Sequence, residues 1–286
     1  MESGIIPWLI GGLGNQMFIV VAGWLAAKYH TCPLYLLKSR KDANKHNRLG
    51  HNYLETIFSN FGTHLEKEYT IETLEFLKTE GYIIHSNSNS YVPYSFINMT
   101  HPHILFSYYQ FYPPMELYEH EIRSLFLKGL STISLEDLDS QDSQDSEDSE
   151  DSAFLHIHRG DYLPISYIHP ICSLDYYKEG LRQLSGKVTA VFVFSDDIEW
   201  VKQQVCWKEW STEFNIHFEI YENNDELQTL KKMSQCKGGA ICANSTFSWW
   251  GAFLGAYSVR SPVIVPKQWS LADPVIALFP DEWISV

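Results

Sequence analysis

The chain has 286 residues, 45% of them hydrophobic and 15% aromatic, which is enough for a full core in two modest α/β domains or one large one. Its formal charge of -14 is concentrated in one stretch: Glu136, Asp137, Asp139, Asp142, Asp145, Glu147, Asp148, Glu150 and Asp151 carry nine of the negative charges, and without them the remainder stands at -5. That mildly acidic remainder has no basic face, which excludes nucleic acid as a partner. The five cysteines, Cys32, Cys172, Cys206, Cys236 and Cys242, are odd in number and contain no Cys-x-x-Cys pair, so they suggest neither a disulfide framework nor a zinc site. The apolar run Ile5 to Ile10 is too short for a signal-peptide core or a membrane span, and the chain reads as a soluble cytoplasmic protein.

Ile5 to Ile10 is predicted as a buried first strand. Gly11-Gly-Leu-Gly-Asn-Gln16 follows directly and leads into a helical stretch from Met17 to Tyr29, with a second strand at Pro33 to Leu37. Glycines at such a turn let backbone N–H groups and a helix start approach an anion or a sugar. The spacing differs from the dinucleotide fingerprint Gly-x-Gly-x-x-Gly. Apolar residues recur at helical spacing over Asn52 to Phe61 and Ile71 to Lys78, and a loop rich in Ser, Asn and Gly follows from Gly81 to Ser90. His103 to Gln110 reads as a strand, and Met115 to Leu127 as an amphipathic helix after Pro113-Pro114. The aromatic run Phe106 to Tyr112 suits either core or an acceptor-sugar pocket.

Residues 134–152, almost all Ser, Asp, Gln and Glu, bury too little to order themselves. They are read as a disordered acidic linker between domains at 1–133 and 153–286. The Asp-x-Asp match at Asp137 and Asp139 falls inside this run and is read as solvated charge, so no metal ligand is assigned.

The second half alternates regularly. Strands are expected at Phe154 to His158, Val188 to Phe194, His217 to Tyr221, Gly239 to Ala243 and Val263 to Val265. Helices are expected at Ser173 to Leu184, Ile198 to Val205, Glu226 to Cys236 and Phe247 to Tyr257. That alternation predicts an α/β fold with a parallel sheet covered on both faces. Three strands end in polar clusters, His156 to Asp161, Ser195-Asp196-Asp197 and Asn244 to Ser248, and in a parallel sheet these share one edge. The set suits a nucleoside diphosphate. Arg159 offers a planar fork to the phosphates, and Ser245, Thr246, Phe247 and Ser248 open a helix toward their oxygens. Asp196 or Asp197 would accept from the paired donors of a guanine edge.

The blocks Gly11 to Phe18, His156-Ile-His-Arg-Gly-Asp-Tyr162, Phe194-Ser-Asp-Asp-Ile-Glu-Trp200 and Ala243-Asn-Ser-Thr-Phe-Ser-Trp-Trp-Gly251 together resemble the α1,2-fucosyltransferases of glycosyltransferase family 11. The resemblance implies a GT-B architecture of two Rossmann-like domains, with the donor held by the C-terminal one and the acceptor, a galactose-terminated glycan, largely by the N-terminal one. It implies GDP-fucose as donor, inversion at the anomeric carbon, and neither a metal nor another cofactor. Donor-binding residues are then His158, Arg159, Ser195, Asp196, Asp197, Asn244, Ser245, Thr246, Phe247 and Ser248, with Gly12, Gly14, Asn15 and Gln16 from the first block. Catalytic residues are Arg159 and a base, Asp161 or His156. His158 stands where the family carries the first of two arginines, the main diphosphate contact in related enzymes. It therefore predicts weakened or altered donor preference. Transfer of another nucleotide sugar, or glycan or nucleotide binding without catalysis, are the competing readings.

Overall fold

The structure is a computed structural model that describes residues 3–38, 49–86, 100–135, 151–256, 261–272 and 277–286. The acidic run from 136 to 150, and the Asn-x-Thr sequon at Asn98, lie outside the described residues. The chain divides into two compact units, Met1–Ile133 with Ala277–Pro280, and Ser134–Ile276 with Asp281–Val286.

The first unit starts with β1 (Ile5–Pro7), shorter than its apolar run because Pro7 has no N–H with which to continue a ladder. Helix α1 (Leu13–His30) follows, and thirteen of its eighteen residues are buried. Then come β2 (Tyr35–Lys38), β3 (Thr63–Glu68), α2 (Ile71–Thr79), β4 (Ile83–His85), β5 (His103–Leu105), α3 (Pro113–Glu116) and α4 (Glu119–Leu130). Parallel pairing runs β4-β5-β1, and β2 pairs with β3. A parallel bridge between Ile5 and Leu34 and the bond from Ile5 N to Pro33 O join the two sets around β1.

Two expectations are corrected here. Residues Asn52 to Phe61 form a series of turns instead of a regular helix. Phe58 N reaches back to Tyr53 O, and neighbouring bonds close over three residues. Burial of Tyr53, Leu54, Ile57, Phe58 and Phe61 explains the helical spacing without a helix. The amphipathic helix predicted at Met115 is two helices, broken at Leu117 and Tyr118.

The second unit contains β6 (Ser152–Ile157), α5 (Leu174–Leu184), β7 (Ala190–Ser195), α6 (Ile198–Lys202), α7 (Cys206–Phe214), β8 (His217–Ile220), α8 (Glu226–Gln235), β9 (Gly239–Ile241), α9 (Thr246–Gly255), β10 (Val263–Val265) and β11 (Ile284–Ser285). All pairings are parallel, in the order β11-β10-β9-β6-β7-β8. Numbered by appearance within the unit, this is the doubly wound order 3-2-1-4-5-6, whose direction reverses between β6 and β9. In open α/β sheets the crevice beyond the carboxyl ends at such a reversal is where ligands bind.

Ser152, read from sequence as the last linker residue, is the buried first residue of β6, where its carbonyl accepts from Gly238 N at 2.7 Å. One core of this unit is built from alternate residues of β6 and β7 with Tyr177, Leu181 and Leu184 of α5 and Trp210 and Phe214 of α7. Among the described residues no helix is long and apolar enough to cross a membrane.

Candidate functional site

The reversal point of the second sheet brings the polar strand ends together. β6 passes through His156 and ends at Ile157, so His158, Arg159, Gly160 and Asp161 form the loop that leaves it. β7, its neighbour, delivers Ser195, Asp196 and Asp197. β9, on its other side, delivers the turn Asn244-Ser245 and the start of α9.

The two aspartates organise the loop. Asp196 accepts the backbone N–H of Arg159 at 2.9 Å through Oδ1 and that of Gly160 at 2.8 Å through Oδ2, and His158 Nδ1 lies 3.2 Å from Oδ2. Burial pushes its acidity the other way, but the hydrogen bond and charge of His158 outweigh it and hold Asp196 well below the usual carboxylate range. Asp197 caps α6 by accepting from Trp200 N at 3.2 Å, and its other oxygen accepts from Arg159 Nε at 2.9 Å. Both carboxylates thus already accept hydrogen bonds from the protein. Ser195 Oγ accepts from Asp197 N at 3.0 Å and closes the turn that carries them.

Arg159 is placed with its chemistry outward. Its guanidinium carbon lies 4.2 Å from the centroid of the Trp200 ring, and Nε is held by Asp197. The two terminal nitrogens have no partner among the described residues. A guanidinium fixed by a ring on one side and a carboxylate at Nε presents a fork preorganised for two anionic oxygens. Trp200 was part of a recognised block, but its role was not legible from sequence, because nothing local specifies which cation an aromatic ring will carry.

His158 departs from expectation. Nε2 lies 3.0 Å from Asp161 Oδ1 and Nδ1 lies 3.2 Å from Asp196 Oδ2, so both ring nitrogens face carboxylates and neither is left for a phosphate. Burial works against its charge, yet the hydrogen bonds to Asp161 and Asp196 outweigh it and raise the imidazole to about 9. His156 is the reverse case. It is 5% exposed, Nδ1 has no hydrogen-bond partner, and burial, with the charge of His158, pushes it down to about 3. His156 is therefore neutral at physiological pH and a feeble base. Ligand-type atoms of His158, Asp161 and Asp196 lie within 4.8 Å of one another. With both imidazole nitrogens turned to those carboxylates, the group is a closed ion-pair network and no open coordination shell.

At the β9 end, Asn244 is 1% exposed, and its Nδ2 donates to Pro170 O at 2.8 Å and to Trp269 O at 3.0 Å. Its Oδ1 accepts from Cys172 Sγ at 3.7 Å, and its carbonyl accepts from Tyr162 OH at 3.0 Å. Asn244 ties three loops together. Ser248 is fully buried, and its Oγ accepts from Ala243 N at 3.0 Å. The side chains of these two residues, expected to touch the donor, shape the turn. Ser245 is 7% exposed and leaves α9 uncapped by its side chain: α5, α6 and α8 are each capped by the side chain before them, Ser173, Asp197 and Asp225. Ser245 thus gives the first turn of α9 no side-chain cap. This is the arrangement an anion completes.

The first unit shows a related feature of its own. Gly11 sits at φ 76°, a left-handed conformation, and a Cβ there would stand 2.7 Å from Asn15 Nδ2. Gly12 precedes α1 without a side-chain cap, and Gly14 is buried in its first turn. Gln16 Nε2 donates to Gly11 O at 2.9 Å, while its Oε1 is buried without a partner. Gln110, from the aromatic run, donates to Asn15 Oδ1 at 2.9 Å, a link that no sequence signal announced. In that run Tyr109 and Tyr112 are buried, and Tyr108 is 45% exposed.

The family model described as Glycosyl transferase family 11 matches residues 58–286. The O-antigen biosynthesis glycosyltransferase WbnK of Escherichia coli is 27% identical over 313 residues, covering 97% of this chain and 99% of that protein. An alpha-1,2-colitosyltransferase of Escherichia coli is 33% identical over 142 residues, 47% of each chain. Among solved structures, a point mutant of Arabidopsis thaliana FUT1 in complex with GDP superposes with a TM-score of 0.54 at 11% identity, covering 92% of this chain and 70% of that one. That likeness concerns the fold, an α/β GT-B architecture with two Rossmann-like domains.

Proposed function

The chain belongs to glycosyl transferase family 11 and is a glycosyltransferase, and from that premise we propose that it moves L-fucose from GDP-fucose to a hydroxyl of a galactose-terminated glycan, with inversion and without a metal. The observation that carries the proposal is the fork of Arg159, held on Trp200 and by Asp197 at the sheet's reversal point. Such a fork suits the oxygens of a diphosphate. FUT1, of the same fold, is described in complex with GDP.

In the reaction the acceptor oxygen attacks the anomeric carbon as the bond from that carbon to the phosphate oxygen breaks. Negative charge gathers on the departing diphosphate, where Arg159 and the N–H groups of Thr246, Phe247 and Ser248 neutralise it. The acceptor's proton goes to a base. Asp161, with a side chain 47% exposed, is reachable and carries the role better than His156, which is buried and too weakly basic. On this reading the second unit is the donor side and the first unit the acceptor side.

A second reading, transfer of another GDP-linked sugar, is favoured by the likeness of half the chain to an alpha-1,2-colitosyltransferase. The test is release of free nucleoside diphosphate from GDP-fucose, GDP-colitose, GDP-mannose and uridine-linked sugars, with a galactoside acceptor and EDTA present. Turnover with GDP-fucose in EDTA is expected. Preference for GDP-colitose would replace the first reading with the second, and binding of GDP without turnover of any donor would overturn both.

A further inference from the structure

We infer that His158 is a positioning residue, a bridge that holds Asp161 and Asp196 in place around the loop after β6 and does not itself touch the donor. The inference rests on the donor site proposed above.

The geometry is specific. Nε2 meets Asp161 at 3.0 Å and Nδ1 meets Asp196 at 3.2 Å, on opposite sides of one ring whose side chain is only 17% exposed. Asp196, at the far end of this bridge, accepts the N–H groups of Arg159 and Gly160. A proton on each ring nitrogen therefore links the candidate base to the carboxylate that winds the phosphate-binding loop. The ring is also fixed by packing. Tyr162 meets it edge to face at 4.2 Å, and the neutral ring of His156 lies nearly parallel at 5.9 Å. Tyr162 is tied by its hydroxyl to Asn244 O, and His169 stacks on the far side of Tyr162 at 4.8 Å.

The charged groups facing His158 are thus Asp161 and Asp196. Arg159, its neighbour in sequence, is engaged with Asp197 and Trp200 instead. Only the imidazolium donates to both carboxylates at once; a neutral imidazole would turn a lone pair toward one of them. The elevated basicity of His158 agrees with a proton retained at both nitrogens.

Phosphate affinity and turnover should therefore separate at this position. In His158→Gln, which is neutral and reaches only one carboxylate, Arg159 and the start of α9 remain, so the Kd for GDP measured by calorimetry should stay within about 3-fold of the parent. The kcat for transfer should fall about 10- to 100-fold, because Asp161 loses the imidazolium that orients it. His158→Arg, a permanent cation able to donate to two carboxylates, should restore most of kcat and remove the fall in activity expected of the parent as pH rises through about 9. A 10-fold or greater rise in the Kd for GDP with kcat unchanged would make His158 a direct donor contact and overturn the inference. So would an alkaline limb retained in His158→Arg.

Nitrogen-15 NMR of the histidines in the unliganded parent protein needs no activity and no variant that must fold. One imidazole protonated at both nitrogens at pH 8 is expected, and its absence would sink the inference. Failure of the parent to bind GDP at all would instead count against the donor reading while leaving the NMR result to judge the bridge.

Discussion

Gly160 and Asp196 meet more closely than any other residue at the glycine would allow. A Cβ on Gly160 would stand 2.8 Å from Asp196 Oδ2, the oxygen that accepts Gly160's own N–H. That carboxylate is also bonded to Arg159 N and paired with His158, so it has no easy direction in which to give way. Gly160→Ala should therefore break the winding of the loop at a cost of about 1–3 kcal/mol. The Kd for GDP, read by calorimetry, should rise roughly 10-fold, matching about 1.4 kcal/mol of that strain appearing at the binding site.

Trp200 is expected to act through Arg159 alone. Removing the ring in Trp200→Leu withdraws a cation–π contact of about 0.5–2 kcal/mol and frees the guanidinium to rotate about its bond to Asp197. GDP affinity should weaken by a factor of roughly 3 to 30. Arg159→Lys should be at least as damaging, since an ammonium neither stacks flat on Trp200 nor keeps a fork free while bonding Asp197. Calorimetric titration of both variants with GDP checks the pair.

His156 in β6 and His158 in the loop after it give opposite signs to the pH dependence of stability. His156 in the fold titrates at about 3 against about 6.5 in an unfolded chain, so the unfolded chain takes its proton first. Its contribution is lost as pH falls from about 6.5 toward 3, at up to about 1.4 kcal/mol per pH unit. His158 titrates at about 9, above the unfolded value, so its stabilisation is complete below about 6.5 and is lost as pH rises through 9. In His156→Phe the fall of Tm between pH 6 and 4 should be shallower than in the parent while the alkaline limb is unchanged. Thermal scans across pH measure both, and an unaltered acid limb would contradict the burial argument.

Asn244→Ala should be a stability mutation. It strips the hydrogen bonds from the Pro170 and Trp269 carbonyls. Leaving such acceptors buried and unmade costs about 1–3 kcal/mol each, which a lowered Tm would report.

The second sheet was legible because its central strands β6, β9 and β10 are buried along their whole length and read as largely apolar runs: Val263 to Val265 appears with its expected bounds, and Ser173 caps α5 as its residue type requires. The first unit was harder. β3 alternates exposed and half-buried residues around Thr63 to Glu68 without an apolar run, and β4 is three residues long, so neither gave a signal. Helix α7 was missed because Val205, which precedes it, offers no cap. At the site, residue types announced where charge would gather but not which partner each group would find. His158, Asp196, Asp197 and Asn244 all carry the chemistry of ligand contacts, yet each is turned to the protein. Arg159 and Trp200, forty-one positions apart, make the fork only once β6 and α6 are in place.

The last strip of the first unit, Ala277–Pro280, comes from almost the end of the chain. Tyr112 N donates to Ala277 O at 2.9 Å, and Leu278 is 1% exposed. During synthesis the first unit therefore lacks part of its core until the strands of the second sheet through β10 have been made, and it is not completed until Leu278 is in place.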